Sequence, residues 1–143
     1  MSTSMASAMA VFVDTGIFVA VRNKKDRNHQ RAKELMRSAL RAEFGIIHTS
    51  DYVVDEAVTT ALARTRNHQI AVNTGRYILS SARIATLPIS QEDFDLAWSK
   101  FQTIRDKFLS FTDCTSLALM ERRGIERIMS FDSNFDGLAE RIC

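Results

Sequence analysis

The feature of this 143-residue sequence that most constrains its fold is a short apolar run, Val11-Phe12-Val13, that leads directly into Asp14. No polar residue alternates with the apolar ones, so the run predicts a strand that is buried on both faces, as in a parallel sheet. Two roles explain an aspartate at this point. Either Asp14 caps the helix that follows, or it stands at the carboxyl edge of a parallel sheet, where α/β proteins place their chemistry.

Apolar strand segments alternate with helical segments along the rest of the chain. The predicted strands cover residues 10–14, 46–49, 84–89 and 125–131, with a candidate short strand at 139–142. The predicted helices cover 17–21, 29–44 with Gly45 as the stop, 51–66, 68–82, a segment opened by a Ser90–Asp93 capping box, and a segment from Thr112 or Asp113 to Gly124. This alternation predicts an α/β fold with a parallel sheet, helices on both faces and right-handed crossovers.

The composition fits one cytoplasmic domain. Hydrophobic residues make up 45% of the chain and charged residues 25%, which is ordinary for a soluble globular domain. No apolar run reaches the length of a membrane helix, and residues 1–9 lack the basic start and apolar segment of a secretory signal. We therefore expect residues 1–9 to be a flexible leader and residues 10–143 to be the domain. Cys114 and Cys143 have no metal-type spacing, which argues against zinc.

Acidic residues fall at positions that a parallel sheet brings to one edge. Asp14 and Asp132 end the first and fourth predicted strands, Asp113 begins the helix before the fourth strand, and a carboxylate follows the second strand. Because strand ends and the starts of the following helices share an edge, we expect these side chains to lie together. Helical periodicity does not choose between Asp55 and Glu56 for the carboxylate after the second strand, since both lie off the apolar stripe.

Such a cluster indicates metal-dependent hydrolysis. Neighbouring carboxylates repel one another, which raises their pKa values unless cations neutralise them. Oxygen ligands with open positions suit Mg²⁺ or Mn²⁺, and these ions activate water and neutralise the leaving oxygen in phosphodiester hydrolysis. Each acid alone has a simpler explanation, as a cap, a turn residue or a solvated charge. The prediction therefore depends on four acids that meet in one topology.

A basic stretch follows the first predicted helix. Residues 22–41 contain eight lysines and arginines but only two acidic residues, Asp26 and Glu34. A local positive field of this kind attracts phosphates. The candidate contacts to RNA are Arg22, Lys24, Lys25, Lys33, Arg37 and Arg41. The alternative is an ordinary solvated helix face.

Three motifs carry a resemblance to a known family. They are VFVDTGIFVA at 11–20, VVDEAVTTAL at 53–62 and SFTDCTSLALMERRGIERIMSFDSNFD at 110–136. Together they resemble the PIN domain family, in particular the single-domain toxin ribonucleases of VapBC toxin–antitoxin systems. The last motif is the specific one, because it joins S-x-T-D, an apolar helix, a glycine, an apolar strand and F-D-x-x-F. The resemblance implies a three-layer α/β/α sandwich with a central parallel sheet of four to five strands.

The resemblance also implies roles for individual residues. It implies a catalytic site for Mg²⁺ or Mn²⁺ formed by Asp14, Glu56, Asp113 and Asp132. The resemblance thus selects Glu56 rather than the neighbouring Asp55. The implied supporting positions, which hold carboxylates or a ligand water, are Thr15, Thr112 and, in an outer shell, Asp136. The expected protein is a cytoplasmic homodimer that cleaves RNA, is silenced by a small antitoxin protein and does not bind membranes.

The residues alone leave other functions open. A non-toxin PIN nuclease in RNA processing would carry the same acids, whereas ribonuclease-H-like and flap-nuclease folds fit the strand order or the chain length less well. A haloacid-dehalogenase-like phosphatase needs an aspartate where Gly16 stands, and a receiver-like domain needs a lysine where Asp132 ends the fourth strand. An RNA-binding α/β module without nuclease activity would not need all four acids.

Overall fold

A five-stranded sheet organises residues 9–143, the part of the chain that this computed structural model describes. The strands are β1 (Ala10–Val13), β2 (Ile46–Ser50), β3 (Ile84–Leu87), β4 (Arg127–Met129) and β5 (Glu140–Ile142). Their order across the sheet is β3-β2-β1-β4-β5, and every neighbouring pair is parallel. The expected leader, residues 1–9, lies outside the described residues except for Met9.

The central strand, β1, is buried along its whole length. This agrees with its uninterrupted apolar sequence, because a central parallel strand is covered on both faces. The strand order reverses at β1, since the chain builds β2 and β3 on one side and then crosses to β4 and β5 on the other. A crevice at the carboxyl ends of β1 and β4 follows from this reversal.

Six helices cover the two faces of the sheet in residues 9–143. They are α1 (Thr15–Arg22), α2 (His29–Leu40), α3 (Asp51–Thr65), α4 (His68–Leu79), α5 (Gln91–Thr103) and α6 (Phe111–Arg123), with a 3₁₀ turn at Ser133–Phe135. α1 packs against α2, α3 and α4, whereas α5 packs against α6. Right-handed crossovers in opposite directions place these two groups on opposite faces. The predicted three-layer α/β/α sandwich is confirmed.

The end of α2 differs from the prediction that Gly45 stops this helix. Ala42 instead adopts a left-handed conformation with φ of 65°. Its N–H donates to the carbonyl of Ala39, and the N–H of Glu43 donates to the carbonyl of Ser38. These two bonds form a Schellman motif, the usual end of a helix, with alanine at the position where glycine is common.

Gly45 serves the entry into β2 rather than the end of α2. Its φ is +80°, and a β-carbon at this position would collide with the backbone carbonyl of Met9. The next residue, Ile46, donates its N–H to that same carbonyl oxygen at 2.7 Å. The close approach, which only glycine permits, sets the first residue of β2 beside the start of β1.

Three other elements are shorter than predicted. α4 ends at Leu79 rather than near residue 82, and β3 ends at Leu87 because Pro88 lacks the N–H that would continue the ladder. The strand predicted over 125–131 is reduced to the three residues of β4. Within residues 9–143, no helix combines the length and apolar character needed to cross a membrane.

Candidate active site

The carboxyl ends of β1 and β4 open into a cleft of about 860 Å³. The four acids predicted for the catalytic site all line it: Asp14, Glu56, Asp113 and Asp132. They come from different parts of the sequence: Asp14 and Asp132 follow β1 and β4, whereas Glu56 lies in the second turn of α3 and Asp113 in the first turn of α6. The topology therefore brings together the side chains that the sequence places far apart.

Asp14 occupies the N-cap position of α1, but its side chain makes no capping hydrogen bond. Instead, its Oδ2 accepts a hydrogen bond of 2.7 Å from the hydroxyl of Ser130. Its Oδ1 is buried and has no hydrogen-bond partner among the described residues. Helix capping therefore does not explain this aspartate, and an unpartnered buried oxygen is typical of a site that binds a further group.

Burial and mutual repulsion raise the pKa values of two of the acids. The pKa of Asp14 rises to about 7, mainly because the group is buried and next because Asp113 lies nearby, although the Ser130 hydrogen bond opposes the rise. Burial also raises the pKa of Asp113 to about 6, with further increases from Glu56 and Asp132. These carboxyl groups share one electrostatic environment, which a bound cation would stabilise.

Asp113 is held by the start of α6. The prediction that Thr112 or Asp113 opens this helix is wrong, because Ser110 is the N-cap and Asp113 is the third helical residue. The Ser110 hydroxyl accepts the Asp113 N–H at 3.0 Å, and Asp113 Oδ2 accepts the Ser110 N–H at 2.9 Å. This reciprocal capping box fixes the carboxylate at the edge of the cleft. The sequence signal for this capping box is a serine three residues before an acid, the same spacing as in Ser90 and Asp93.

Ser130 links two of the acids and was missed by the sequence analysis. Besides donating to Asp14, its hydroxyl oxygen accepts the N–H of Asp132 at 3.0 Å. Asp132 Oδ1 in turn accepts the N–H and the side-chain amide of Asn134, both at 2.9 Å. Asp132 thus begins the 3₁₀ turn as well as lining the cleft. The available signal for Ser130 was that it is the first polar residue after β4.

Glu56 is anchored to the other side of the site by Thr15. The Thr15 hydroxyl donates to Glu56 Oε1 at 2.7 Å, which joins the start of α1 to α3. Glu56 is half-buried and lines the cleft, whereas its neighbour Asp55 is exposed. The geometry therefore favours Glu56, and it gives Thr15 the carboxylate-holding contact that was expected of it.

Two predicted supporting residues lie outside the cleft. The carbonyl of Thr112 accepts hydrogen bonds from the hydroxyls of Thr115 and Ser116, but Thr112 is absent from the cleft lining. Asp136 is exposed and forms an ion pair with Arg141 at 2.7 Å, which lowers the pKa of Asp136. The structure thus places neither residue with the four acids, and their supporting roles stay predictions.

The six predicted RNA contacts divide between two surfaces. Only Lys25 lines the cleft. The other five line a separate groove of about 590 Å³ along α2, which we name the basic groove: Arg22, Lys24, Lys33, Arg37 and Arg41. Its apolar lining consists of Val21, Met36, Leu40 and Tyr77.

Two further cations line the cleft beside Lys25. They are Arg27, in the α1–α2 connection, and Arg64, in the last turn of α3. We name these three residues the cationic wall. The sequence analysis missed Arg64, although it follows Glu56 and Thr60 at successive four-residue steps, and residues so spaced share one helix face.

The side chains of the cleft suit a hard divalent cation. Within residues 9–143, no three His, Cys, Asp or Glu side chains stand in a geometry ready to ligate a metal ion. The four carboxylates nevertheless share one cleft, and carboxylate oxygens are the ligands that Mg²⁺ and Mn²⁺ prefer. The unpartnered Oδ1 of Asp14 supplies a donor atom without the loss of an existing hydrogen bond.

Comparisons with known proteins identify relatives of this chain. The PIN domain family model matches residues 11–141. The chain is 30% identical over 125 residues to the 23S rRNA-specific endonuclease VapC20 of Mycobacterium tuberculosis, covering 87% of this chain and 91% of that protein. The crystal structure of VapC20, described as a Sarcin-Ricin loop cleaving toxin, matches with a TM-score of 0.79 over 87% of this chain and 92% of that one.

Two more distant solved structures share the fold. VapBC2 from Rickettsia felis, bound to a DNA fragment from its promoter, matches with a TM-score of 0.66 at 14% identity, covering 94% of this chain and 98% of that chain. FitAcB from Neisseria gonorrhoeae matches with a TM-score of 0.63 at 15% identity, covering 93% and 96%. At these identities the similarity concerns the fold alone.

Asp14→Asn should change how stability depends on pH in metal-free buffer. Because burial raises the pKa of Asp14 from 3.8 to about 7, the folded protein keeps a proton that the unfolded chain releases above about pH 4. The free energy of unfolding therefore falls as the pH rises from about 4 to about 7, by up to about 4 kcal/mol from this group. The amide cannot ionise, so the variant should lose much of this decline and be the more stable protein at pH 7.5.

Urea unfolding at pH 5 and pH 7.5, both in EDTA, measures this difference. Asp106→Asn is the matched control, since Asp106 is exposed and outside the cleft. If Asp14→Asn and the wild type lose the same stability between the two pH values, Asp14 does not carry the electrostatic cost described here.

Proposed function

Because this chain belongs to the PIN domain family, we propose that it is an endoribonuclease of the VapC toxin type that hydrolyses RNA phosphodiester bonds with Mg²⁺ or Mn²⁺. The observation that carries the proposal is the convergence of four motif carboxylates in one cleft. Support comes from the 30% identity to VapC20, which is a 23S rRNA-specific endonuclease. We propose a cytoplasmic location, where the proposed RNA substrate and antitoxin partner would be found.

The proposed chemistry assigns the four acids to the metal ion, which when bound would activate water and neutralise charge on the leaving oxygen. The chain's own residues hold the acids ready for this. Ser130 fixes Asp14 Oδ2 and leaves Oδ1 to the ion. Thr15 fixes Glu56 Oε1, so the other carboxylate oxygen of Glu56 can orient the attacking water and take its proton.

The basic groove is the surface that we propose for the antitoxin. Its lining combines five cations with apolar side chains, so the complementary ligand is an acidic protein segment that also carries apolar residues. A toxin of the proposed VapC type is expected to have a small antitoxin protein, and we assign that protein to this groove. Bare RNA complements the charge of this groove but not its apolar lining.

Reversing two charges in the basic groove should weaken the antitoxin complex. Lys33→Glu with Arg37→Glu places like charges against an acidic segment and should raise the dissociation constant about tenfold or more. Calorimetry with the proposed antitoxin, to be sought as a small protein encoded beside this chain's gene, measures the effect. Arg76→Glu with Arg105→Glu is the matched control, because both residues are exposed and outside the groove. Equal losses in the two variants would contradict the assignment.

A homodimer is the assembly that we propose for this chain, and a partly exposed group of aromatic residues supports it. We name this group the aromatic surface: Tyr52, Phe94, Trp98, Phe101 and Phe111. Phe94, Trp98 and Phe101 are 40%, 50% and 44% exposed although their rings pack with one another or with Phe111. Contiguous apolar surface of this kind marks protein interfaces, and a two-fold dimer uses the same patch on both copies.

Trp98→Lys should convert the proposed dimer into a monomer, since each copy would bury an unpaired charge in the interface. Sedimentation equilibrium at micromolar concentration reads out the mass. Phe108→Lys is the control, because Phe108 is 84% exposed and lies outside the aromatic surface. A wild-type monomer, or a Trp98→Lys dimer as tight as the control, would rule out this interface.

Glu56→Gln and Asp113→Asn should abolish RNA cleavage. Each change removes a charge from the proposed metal site, and the loss of such a group lowers catalysis by about 10² or more. The assay is cleavage of total RNA by purified protein with Mg²⁺ or Mn²⁺, compared with EDTA.

Asp55→Asn is the matched control for Glu56→Gln, because Asp55 is the neighbouring acid in α3 and is exposed outside the cleft lining. Normal cutting by Asp55→Asn with no cutting by Glu56→Gln supports the site. Metal-independent cleavage, or normal cleavage by Glu56→Gln, would refute the proposed mechanism.

A further inference from the structure

The cationic wall gives the cleft a second function beside the proposed metal chemistry. We infer that Lys25, Arg27 and Arg64 bind the RNA backbone next to the scissile bond, and that the five cations of the basic groove do not take part. The inference rests on the proposed ribonuclease function and assigns its substrate-binding residues.

The first argument is the charge of the cleft itself. Five carboxylates line it, the four acids together with Asp26, and they repel a polyanion. A bound divalent ion would offset part of this charge, but RNA must still enter against the remainder. The three cations of the wall are the positive side chains in the cleft lining, so they are the groups that can attract the backbone there.

The second argument is the arrangement of acidic and basic residues along α3. Glu56, Thr60 and Arg64 all line the cleft and lie one turn apart. Eight residues of helix separate the Cα atoms of Glu56 and Arg64 by about 12 Å. One face of a single helix thus connects the acidic end of the cleft to its basic end. A strand cut at the acidic end would pass the wall with a neighbouring phosphate.

The third argument is that the wall is positioned but still available. Arg64 forms a loose ion pair of 3.8 Å with Asp26, whose other oxygen accepts the N–H of Asn28. Lys25 and Arg27 are exposed and form no ion pair within residues 9–143. Arginine offers a planar pair of donors to phosphate oxygens and lysine a compact charge, and both are common phosphate ligands.

The chain supplies two matched pairs that test the inference. Lys24 and Lys25 are consecutive, but Lys24 lines the basic groove and Lys25 lines the cleft. Arg64 and Arg66 are two residues apart, and Arg66 is exposed and outside the cleft. Lys25→Gln and Arg64→Gln are therefore compared with Lys24→Gln and Arg66→Gln, which remove the same charges nearby.

The first readout is the affinity for a labelled 12-nucleotide single-stranded RNA, measured by anisotropy in EDTA at several salt concentrations. Each wall variant should bind more weakly than its control, and the slope of log K against log salt should fall by about 0.7 for each lost contact. The second readout is cleavage of total RNA with Mg²⁺ or Mn²⁺. The wall variants should raise KM and leave kcat within about threefold of wild type, because the wall holds substrate and does not take part in the reaction.

Equal affinity and salt slope in the wall variants and their controls would overturn the inference, as would a loss in Lys24→Gln that matches the loss in Lys25→Gln. Arg64→Lys should recover part of the affinity that Arg64→Gln loses, which separates charge from a loss of folding. The experiment distinguishes a failure of the cationic wall from a failure of the proposed ribonuclease function. Wild-type protein that cuts RNA while the wall variants match their controls refutes only the wall, whereas wild-type protein that neither binds nor cuts RNA refutes the proposed function and the wall together.

Discussion

The hydrogen bond from Ser130 to Asp14 is the contact on which the site depends. It joins the residue after β1 to the residue after β4, across the point where the strand order of the sheet reverses. The same hydroxyl accepts the N–H of Asp132, so one buried serine sets two of the four acids. A small polar residue at this point lets two strand ends approach closely and still leaves one oxygen of Asp14 without a partner among the described residues.

The clustered acids lower the stability of the folded protein, and hydrogen bonds around them offset part of this loss. Burial, together with neighbouring carboxylates, raises the pKa values of Asp14 and Asp113, so the ionised forms of these two groups destabilise the folded state. Around them, Ser110 caps α6 and fixes Asp113, and Thr15 fixes Glu56. Each of these hydrogen bonds also begins or joins a helix. The elements that stabilise the fold are therefore the same ones that hold the acids close together.

The sequence predicts the fold and the convergence of the acids because both follow from topology. Alternating strands and helices require a parallel sheet, and a parallel sheet brings strand ends such as Asp14 and Asp132 to one edge. What it does not predict depends on side-chain direction and on local backbone conformation. The sequence does not distinguish Lys24 from Lys25, yet Lys24 lines the basic groove and Lys25 lines the cleft. Gly45 reads as a helix stop, but Ala42 adopts the left-handed conformation first.

The division between Lys24 and Lys25 also bears on how a partner could control the proposed enzyme. The α1–α2 connection contributes residues to both the basic groove and the cleft. Lys24 of the groove is followed directly by Lys25 of the cleft, so a protein segment bound along α2 would lie next to the rim of the cleft. Under the proposed functions, such a segment blocks RNA at the cationic wall without occupying the metal site. Inhibition would then act on substrate binding, and the four acids could stay in place throughout.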